Sequence, residues 1–432
     1  MSMANEKERD LAPEDRPDEG SEEKKYSFLQ ETIKPKPISR KQLGRQLARF
    51  AIYGIVLGVF SCVGFYALRP WAQNWFRGDL KTVTIPEDEE PSEETQNTQD
   101  EEAVEEPVVD AESYEQIMDS MEERADEAYK GLVSVEPVSA DANWDARMTG
   151  INRSTTGIIA ADNGQEILIL TDAEICSGAS EWNVVFQDGS RYATTLKKKD
   201  ENSGLAVFSV GIGNITDTTW SAIKVSVLGN SNLITQGDPV LALGNMFGYA
   251  GGASFGMVSS VDYKTAFYDG ECDVIATDIP ASQGGAGVLF NMDGEVIGLI
   301  SDSVWEGKET SVANAYAISD LKTIIEFLAN GEAVPYIGVH VTTVTTELQE
   351  SQGMPAGVYV VDVDADSPAM AAGIQSGDII CQVARQDTTT ISAFQRGVWE
   401  TSAGQEIIIQ GKRLGAEGYV DVQFTATVGS RE

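Results

Sequence analysis

The chain has 432 residues and a formal net charge of −37, from 68 acidic and 31 basic residues. This length allows two or three domains. The acidic excess argues against nucleic acid as a partner, because phosphate binding needs clustered Lys and Arg. Four cysteines are too few for a disulfide framework. A single disulfide between Cys176 and Cys272 is left as an alternative. No CxxC motif or Cys/His cluster is present, so we predict no metal site and no cofactor.

An uncharged stretch near the N-terminus predicts a membrane anchor. Residues 1–49 are mixed in charge and poor in apolar residues, which predicts a largely disordered segment. Residues 50–68 carry no charge and would span roughly 28 Å as a helix, about one hydrocarbon core. Basic residues cluster before this stretch, which favours a cytoplasmic N-terminus, and no small-residue cleavage site follows it. We therefore predict a single-pass protein of the cell membrane, with everything after residue 68 extracytoplasmic.

An acidic linker and a helix follow the predicted span. Residues 69–112 form the linker, and its part from 82 to 112 contains 13 acids and no base, which favours an extended chain. Residues 113–129 then place apolar side chains at three- and four-residue spacing, which predicts an amphipathic helix. Ser113 is the expected N-cap of this helix.

From Val133 to Ser301 the pattern changes to short β-branched runs. These runs are separated by turn pairs, namely Asn163-Gly164, Asp188-Gly189, Asp269-Gly270 and Asp293-Gly294. Many short strands with glycine-containing turns predict antiparallel barrels or a sandwich.

Three stretches of this region carry a family resemblance. They are TTGIIAADNGQEILILTDAEI, GDPVLALGNMFGYAGGASFGMVSSVDY and TDIPASQGGAGVLFNMDGEVIGLIS. In this order they resemble the first barrel, the second-barrel entry and the nucleophile segment of trypsin-like proteases of the HtrA/DegP type. The resemblance implies an all-β-dominated fold, with two six-stranded barrels over residues 113–331. A helix over 319–328, capped by Ser319 and ended by Gly331, would close this domain.

The positions that match the family's catalytic triad hold other residues. Glu174 stands where the T-x-x-H-V pattern places histidine, and Gly204 where the D-[IL]-A-[LV] pattern places aspartate. Counting back from Asn291 puts Gly285 at the nucleophile, whereas counting forward from the preceding Thr-Asp pair puts Ala286 there. Acyl transfer by this fold needs a hydroxyl, an imidazole base and a carboxylate that orients the base.

The histidine count leads to a prediction about activity. The only histidine of the chain is His340, which falls in the next domain as an ordinary strand residue. We therefore predict that the chain is not an enzyme, but a pseudoprotease. The alternative is a serine-type endopeptidase with a rebuilt site, for instance with Glu174 as a base for Ser282.

Residues 335–428 resemble the PDZ domain that follows the barrels in the same family. The resemblance implies a carboxylate-binding loop and an apolar pocket for the last side chain of a peptide. The loop would consist of Tyr336, Ile337, Gly338 and Val339. The pocket would be lined by Phe394 and Val398. Ordinary core packing is an equally good reading of these apolar side chains.

The expected function combines these segments. We predict a membrane-tethered protein that binds peptides, protein C-termini or unfolded extracytoplasmic segments through its PDZ domain, as a scaffold or regulator. The family resemblance also raises a homotrimer as an assembly.

Overall fold

A computed structural model describes residues 81–88, 111–138, 154–249, 251–282, 284–301 and 311–432, with the single residues Tyr53 and Val304. Within residues 1–77 only Tyr53 is described, in helical conformation, and the following account concerns residues 78–432. Among the described residues no helix is both long and apolar enough to cross a membrane. The predicted span at 50–68 lies outside them, apart from Tyr53.

Two closed barrels of six antiparallel strands form the body of the molecule, in the orders β1-β2-β3-β6-β5-β4 and β10-β11-β12-β9-β8-β7. The strands of the first are β1 (Leu132–Pro137), β2 (Thr155–Asp162), β3 (Glu166–Asp172), β4 (Trp182–Val185), β5 (Arg191–Asp200) and β6 (Leu205–Gly211). Those of the second are β7 (Pro239–Gly244), β8 (Gly252–Phe267), β9 (Gly270–Pro280), β10 (Gly287–Phe290), β11 (Val296–Ile300) and β12 (Val312–Ala317). The predicted barrel architecture is confirmed.

Helices and 3-10 turns surround the barrels. They are α1 (Ala111–Tyr129), α2 (Asp217–Ala222) and α3 (Ile318–Ala329), with 3-10 helices at Ala173–Cys176, Ile212–Asn214 and Ser231–Leu233. The two predicted N-caps, Ser113 and Ser319, were wrong. Helix α1 begins at Ala111, so that Ser113 lies in its first turn, and α3 has Ala317 at its N-cap without a side-chain hydrogen bond.

Strand β3 shows why the apolar runs are continuous rather than alternating. Its Ile167 and Ile169 fill the interior of the first barrel. The alternate residues Leu168 and Leu170 point outward into a second core. Residues of the other barrel and of α3 complete this core. Successive strand residues face opposite sides, and here both sides are buried.

Residues 81–88, from the predicted linker, lie along helix α3. The Asn330 side chain accepts a hydrogen bond from Val83 N and donates one to Val83 O, both at 2.9 Å. Farther along, the buried Lys322 Nζ lies 2.7 Å from Asp88 Oδ2, and Ser319 Oγ donates to the same carboxylate at 2.6 Å. This part of the acidic segment is therefore packed against the barrels.

The third sheet belongs to the C-terminal domain and has the order β13-β14-β15-β17-β18, with β16 paired to β15. Its strands are β13 (Val339–Thr343), β14 (Val358–Val363), β15 (Ile379–Val383), β16 (Gln386–Asp387), β17 (Glu406–Gly415) and β18 (Gly418–Thr427). Its helices are α4 (Thr346–Gln352), α5 (Pro368–Ala372) and α6 (Ile391–Trp399). Strand β13 is at the edge of this sheet, and α6 packs on the sheet's core.

The three described cysteines, Cys176, Cys272 and Cys381, are free thiols. The bridge between Cys176 and Cys272 that the sequence left open is therefore not formed.

Candidate functional site

A small cavity of about 30 Å³ lies between the two barrels. Its lining combines residues of both barrels, among them Thr156, Thr171, Asp172, Ser203, Gly204, Ala286, Ser301 and Tyr316. Two of the sequence-predicted positions, Gly204 and Ala286, therefore meet here. Glu174 is exposed on the neighbouring 3-10 helix, and neither it nor Gly285 belongs to the described lining.

The polar groups of this cavity form a hydrogen-bonded set that the sequence pattern did not reveal. Ser301 Oγ donates to Asp172 Oδ2 at 2.9 Å, and Asp172 Oδ1 accepts from the backbone N–H of Glu174 at 2.8 Å. Thr156 Oγ1 accepts from Asn245 N and donates to the carbonyl of Ala286. The cavity thus holds a serine hydroxyl hydrogen-bonded to a carboxylate.

Gly285 and Ala286 differ in the space around them. A Cβ atom at Gly285 would lie 2.6 Å from Met246 O and 2.8 Å from Ser282 O, and both of these are backbone atoms. Ala286 already carries a Cβ and lines the cavity. Of the two positions that the sequence left open for a nucleophile, only residue 286 has room for a side chain.

Alanine at position 285 is accordingly expected to destabilise the second barrel. Because the colliding atoms belong to the backbone, we expect Gly285→Ala to lower the free energy of unfolding by about 2–3 kcal/mol. Ala286→Ser, which adds one oxygen beside the cavity, should change it by less than about 1 kcal/mol. Denaturant unfolding of the full-length variants measures both values. Equal losses of unfolding free energy would contradict the conclusion that position 286, but not position 285, has room for a side chain.

The single histidine lies at the junction between the second barrel and the C-terminal domain. His340 is in strand β13, and its ring centroid is 4.1 Å from that of Tyr268. Tyr268 and Asp269 form the two-residue connection between β8 and β9, so they occupy the tip of a long hairpin of the second barrel. The predicted turn at Asp269-Gly270 is therefore the place where this barrel contacts the C-terminal domain.

The loop at 336–339 binds the carboxylate of Asp269. The backbone N–H groups of Ile337, Gly338 and Val339 donate to its two oxygens at 2.6–3.0 Å. In return, the N–H of Asp269 donates to Val339 O at 2.8 Å. Burial raises the pKa of the Asp269 carboxyl group to about 6, whereas the three N–H donors act in the opposite direction.

Backbone geometry explains how this loop can present three donors at once. Gly338 has a φ of +88°, which is accessible to glycine at little cost. A Cβ there would lie 2.4 Å from Ser367 Cβ, so the loop is also closely packed from behind. Tyr336 is buried beside it and donates a hydrogen bond from its hydroxyl to Asp364.

The two side chains predicted for the apolar pocket belong to the core of the C-terminal domain. Phe394 and Val398 lie on α6 and are fully buried with Ile337 and Val339. Gln395, between them in sequence, is buried as well, and within the described part of the chain its Nε2 has no hydrogen-bond partner. It faces Gly270 of the hairpin, where an added Cβ would lie 2.6 Å from that nitrogen.

Comparisons with known proteins agree with both folds. Residues 155–299 match the family model of the trypsin-like peptidase domain, and residues 335–424 match that of the PDZ domain. A solved structure described as the HtrA-type protease AlgW with tripeptide has 24% identity and a TM-score of 0.50, covering 72% of this chain and 96% of that one. At this identity the likeness concerns the fold alone.

Curated relatives give the same picture for part of the chain. The "Probable periplasmic serine endoprotease DegP-like" of Halomonas elongata is 30% identical over 280 residues, which are 63% of this chain and 56% of that protein. The "Serine protease Do-like HtrB" of Bacillus subtilis is 27% identical over 289 residues, 62% of each chain. This chain thus spans roughly three fifths of the relatives that it matches.

These relatives correct one prediction from the sequence. The expectation that the chain is not an enzyme is contradicted, because the matched relatives are named serine proteases or endoproteases and the fold is that of a trypsin-like peptidase. The substitutions at Glu174, Gly204 and Gly285 are differences from one triad pattern, and they do not test whether other groups perform the chemistry. Residues 155–299 thus belong to a trypsin-like peptidase domain and residues 335–424 to a PDZ domain, and the chain is similar to relatives named as DegP-like and Do-like serine proteases.

Proposed function

We propose that this protein binds extended peptides and protein C-termini outside the cytoplasm through its PDZ domain. The observation that carries the proposal is the convergence of the N–H groups of Ile337, Gly338 and Val339 on a single carboxylate. Backbone donors held in this way are a means of recognising a terminal carboxylate. No charged side chain is needed for it.

Strand β13 provides the remaining part of such a site. It pairs with β14 on one side and is the edge strand of its sheet. An extended peptide can add to a sheet edge as a further strand, with main-chain hydrogen bonds giving affinity. Ile337, Val339, Phe394 and Val398 form the fully buried apolar core behind this edge, and we propose that the last side chain of the ligand is apolar as well.

The proposed setting is the outer face of a membrane. The uncharged stretch at 50–68 would anchor the chain, with residues 1–49 in the cytoplasm and both folded domains outside. The Halomonas relative is named as periplasmic, in agreement with this orientation.

We also propose that the protein assembles as a homotrimer. The exposed apolar side chains of Tyr114, Ile117 and Met118 on α1 could contribute to the contacts between its subunits.

The binding proposal is tested with octapeptides that end in Val, Leu, Phe or Tyr. Each is made with a free C-terminal carboxylate and as the C-terminal amide, and its binding to the full-length protein is followed by fluorescence anisotropy. We expect saturable binding of carboxylates and at least roughly tenfold weaker binding of amides, since the loop is built of carboxylate-binding donors. Equal binding of both forms would overturn the proposal.

A second candidate function is endopeptidase activity from a rebuilt site, and the pair Ser301–Asp172 favours it. In this reaction Ser301 Oγ would attack the peptide carbonyl while its proton passes to Asp172 Oδ2, 2.9 Å away. The carboxyl group would then return the proton to the departing amine, and water would hydrolyse the acyl-enzyme. The pair lies in the cavity between the barrels, beside Gly204 and Ala286.

Labelling with a fluorophosphonate probes this candidate directly. An active Ser301 should give a covalent adduct with the full-length protein and cleavage of an unfolded substrate such as reduced casein. Both should be lost in Ser301→Ala and kept in Ser282→Ala, a control serine whose hydroxyl donates to Met246 O. Cleavage that survives Ser301→Ala would exclude this residue as the nucleophile.

A further inference from the structure

The carboxylate-binding loop of the PDZ domain is already filled by a side chain of the same protein. The carboxylate of Asp269 accepts hydrogen bonds from three N–H groups of the loop, and its own N–H donates to Val339 O. A peptide that added to the edge of β13 with its terminal carboxylate in the loop would use the same donors and the same acceptor. Asp269 therefore combines the two main contacts of a C-terminal residue.

The hairpin is held in the conformation that presents this carboxylate. Asp269 has a φ of +65°, a left-handed conformation that aspartate tolerates better than most residues do. The side chain of Asn202, from the first barrel, clamps the preceding residue: it accepts from Tyr268 N at 3.1 Å and donates to Tyr268 O at 2.7 Å. The tip is thus held by contacts on the barrel side as well as by the loop.

Aromatic and basic side chains cover the docked tip. The Tyr268 ring packs against His340 and meets the ring of Tyr336 edge-on at 6.1 Å between centroids. The guanidinium of Arg431 lies 5.3 Å from the centre of the Tyr268 ring and 5.8 Å from that of Tyr336. These contacts exclude water from the loop, and Asp269 is only 3% exposed.

One contact of the docked hairpin is incomplete. Gln395 on α6 is buried, and within the described residues its Nε2 donor has no partner. The hairpin residue beside it is Gly270, which offers no side chain. A buried donor without an acceptor opposes the arrangement that leaves it so.

We propose that Asp269 is an internal ligand of the PDZ domain, and that peptides with a free C-terminal carboxylate bind by displacing the tip of the β8–β9 hairpin. The inference rests on the proposed peptide-binding function and adds its regulation. The three N–H groups cannot serve two carboxylates at once, so internal and external ligands compete. Because the hairpin is tethered, its effective concentration at the loop is high. The apparent affinity for peptides is therefore the intrinsic affinity multiplied by the fraction of molecules whose loop is open.

The test compares the full-length protein with Asp269→Asn and Asp269→Gly, both of which tolerate a left-handed φ. Asp293→Asn is the matched control, because Asp293 is an exposed aspartate in another Asp-Gly hairpin of the second barrel. The probes are octapeptides ending in Val, Leu, Phe or Tyr, free or amidated, measured by fluorescence anisotropy.

We expect Asp269→Gly to bind the free-carboxylate peptides at least roughly tenfold more tightly than wild type, with Asp269→Asn in between and Asp293→Asn unchanged. Equal affinities of wild type and both Asp269 variants would overturn the internal ligand while leaving peptide binding intact. Absence of binding in every variant would instead overturn the peptide-binding function itself.

Hydrogen exchange on the wild-type protein gives a second test that needs no variant. Saturating free peptide should leave the amides of residues 337–339 protected, because the new carboxylate replaces the old one. It should raise exchange at the amide of Asp269, whose acceptor Val339 O would then bond to the peptide. Bound peptide with unchanged protection of residues 268–270 would contradict displacement of the hairpin.

Discussion

Alanine at position 338 is expected to abolish carboxylate binding and to destabilise the PDZ domain. Gly338 has a φ of +88°, and its added Cβ would lie 2.4 Å from Ser367 Cβ and 2.7 Å from the hydroxyl oxygen of Tyr336. The left-handed conformation costs an alanine about 1–2 kcal/mol and the collision adds to it, so we expect a loss of about 3 kcal/mol or more in the free energy of unfolding. Denaturant unfolding and peptide anisotropy on the same samples measure both effects.

Gly373→Ala separates the two causes. Gly373 has nearly the same φ, +87°, but no atom lies within 4 Å of its added Cβ. It ends helix α5 and lies outside the carboxylate-binding loop. This variant should lose only about 1–2 kcal/mol of stability and keep its peptide affinity. If both variants lost the same stability and both still bound peptide, the close packing behind Gly338 would not matter for the site.

Local patterns were sufficient to predict the barrels, for a physical reason. The runs at 167–170 and 205–210 became neighbouring strands β3 and β6, because each offers apolar side chains to both faces. The turn pairs at Gly164, Gly189 and Gly294 all adopt positive φ, as hairpin turns require. Strand and turn signals are local, and a sequence displays them directly.

The occupied PDZ loop was beyond such reasoning. Asp269 and Gly338 are 69 residues apart, and nothing in the sequence around Asp269 distinguishes its Asp-Gly turn from the one at Asp293. The same holds for Ser301 and Asp172, which are 129 residues apart. Contacts of this kind depend on how whole strands and domains pack, and only the three-dimensional structure brings them together.

The prediction about enzymatic activity failed for a related reason. It rested on the absence of histidine before His340 and on the residues at the triad positions, Glu174, Gly204 and Gly285, and it gave a rebuilt site only as the alternative. The structure shows that Glu174 and Gly285 do not belong to the described lining of the cavity, whereas Asp172 and Ser301 do. A motif comparison does not anticipate groups that other strands bring to the same place.

The ion pair between Arg413 and Asp378 is expected to be the largest electrostatic contribution to the stability of the PDZ domain. The Asp378 side chain is only 1% exposed, and Arg413 binds it through two hydrogen bonds, Nε to Oδ1 at 2.6 Å and Nη2 to Oδ2 at 2.8 Å. Arg413→Ala would leave a buried carboxylate with the N–H of Gln375 as a remaining donor. Removing one partner of a buried pair typically costs about 3–5 kcal/mol, which is the loss that we expect.

The neighbouring residue provides the control. Lys412 is 2.6 Å from Asp421, but both side chains are exposed, so Lys412→Ala should cost less than about 1 kcal/mol. The two substitutions remove one positive charge each from the same strand, β17, and therefore change the net charge equally. Similar unfolding free energies for both variants would show that burial of Asp378 does not control the strength of the pair.

The pair also bears on the peptide site. Asp378 O accepts from Val360 N, and Val360 lies on β14, the strand that pairs with β13, the proposed ligand-binding edge. Loss of Arg413 should therefore loosen β14 and weaken peptide binding in proportion to the fraction of PDZ domain that unfolds. Restoring stability by lowering the temperature should then restore the affinity of Arg413→Ala, whereas Gly338→Ala should remain unable to bind because its loop itself is altered.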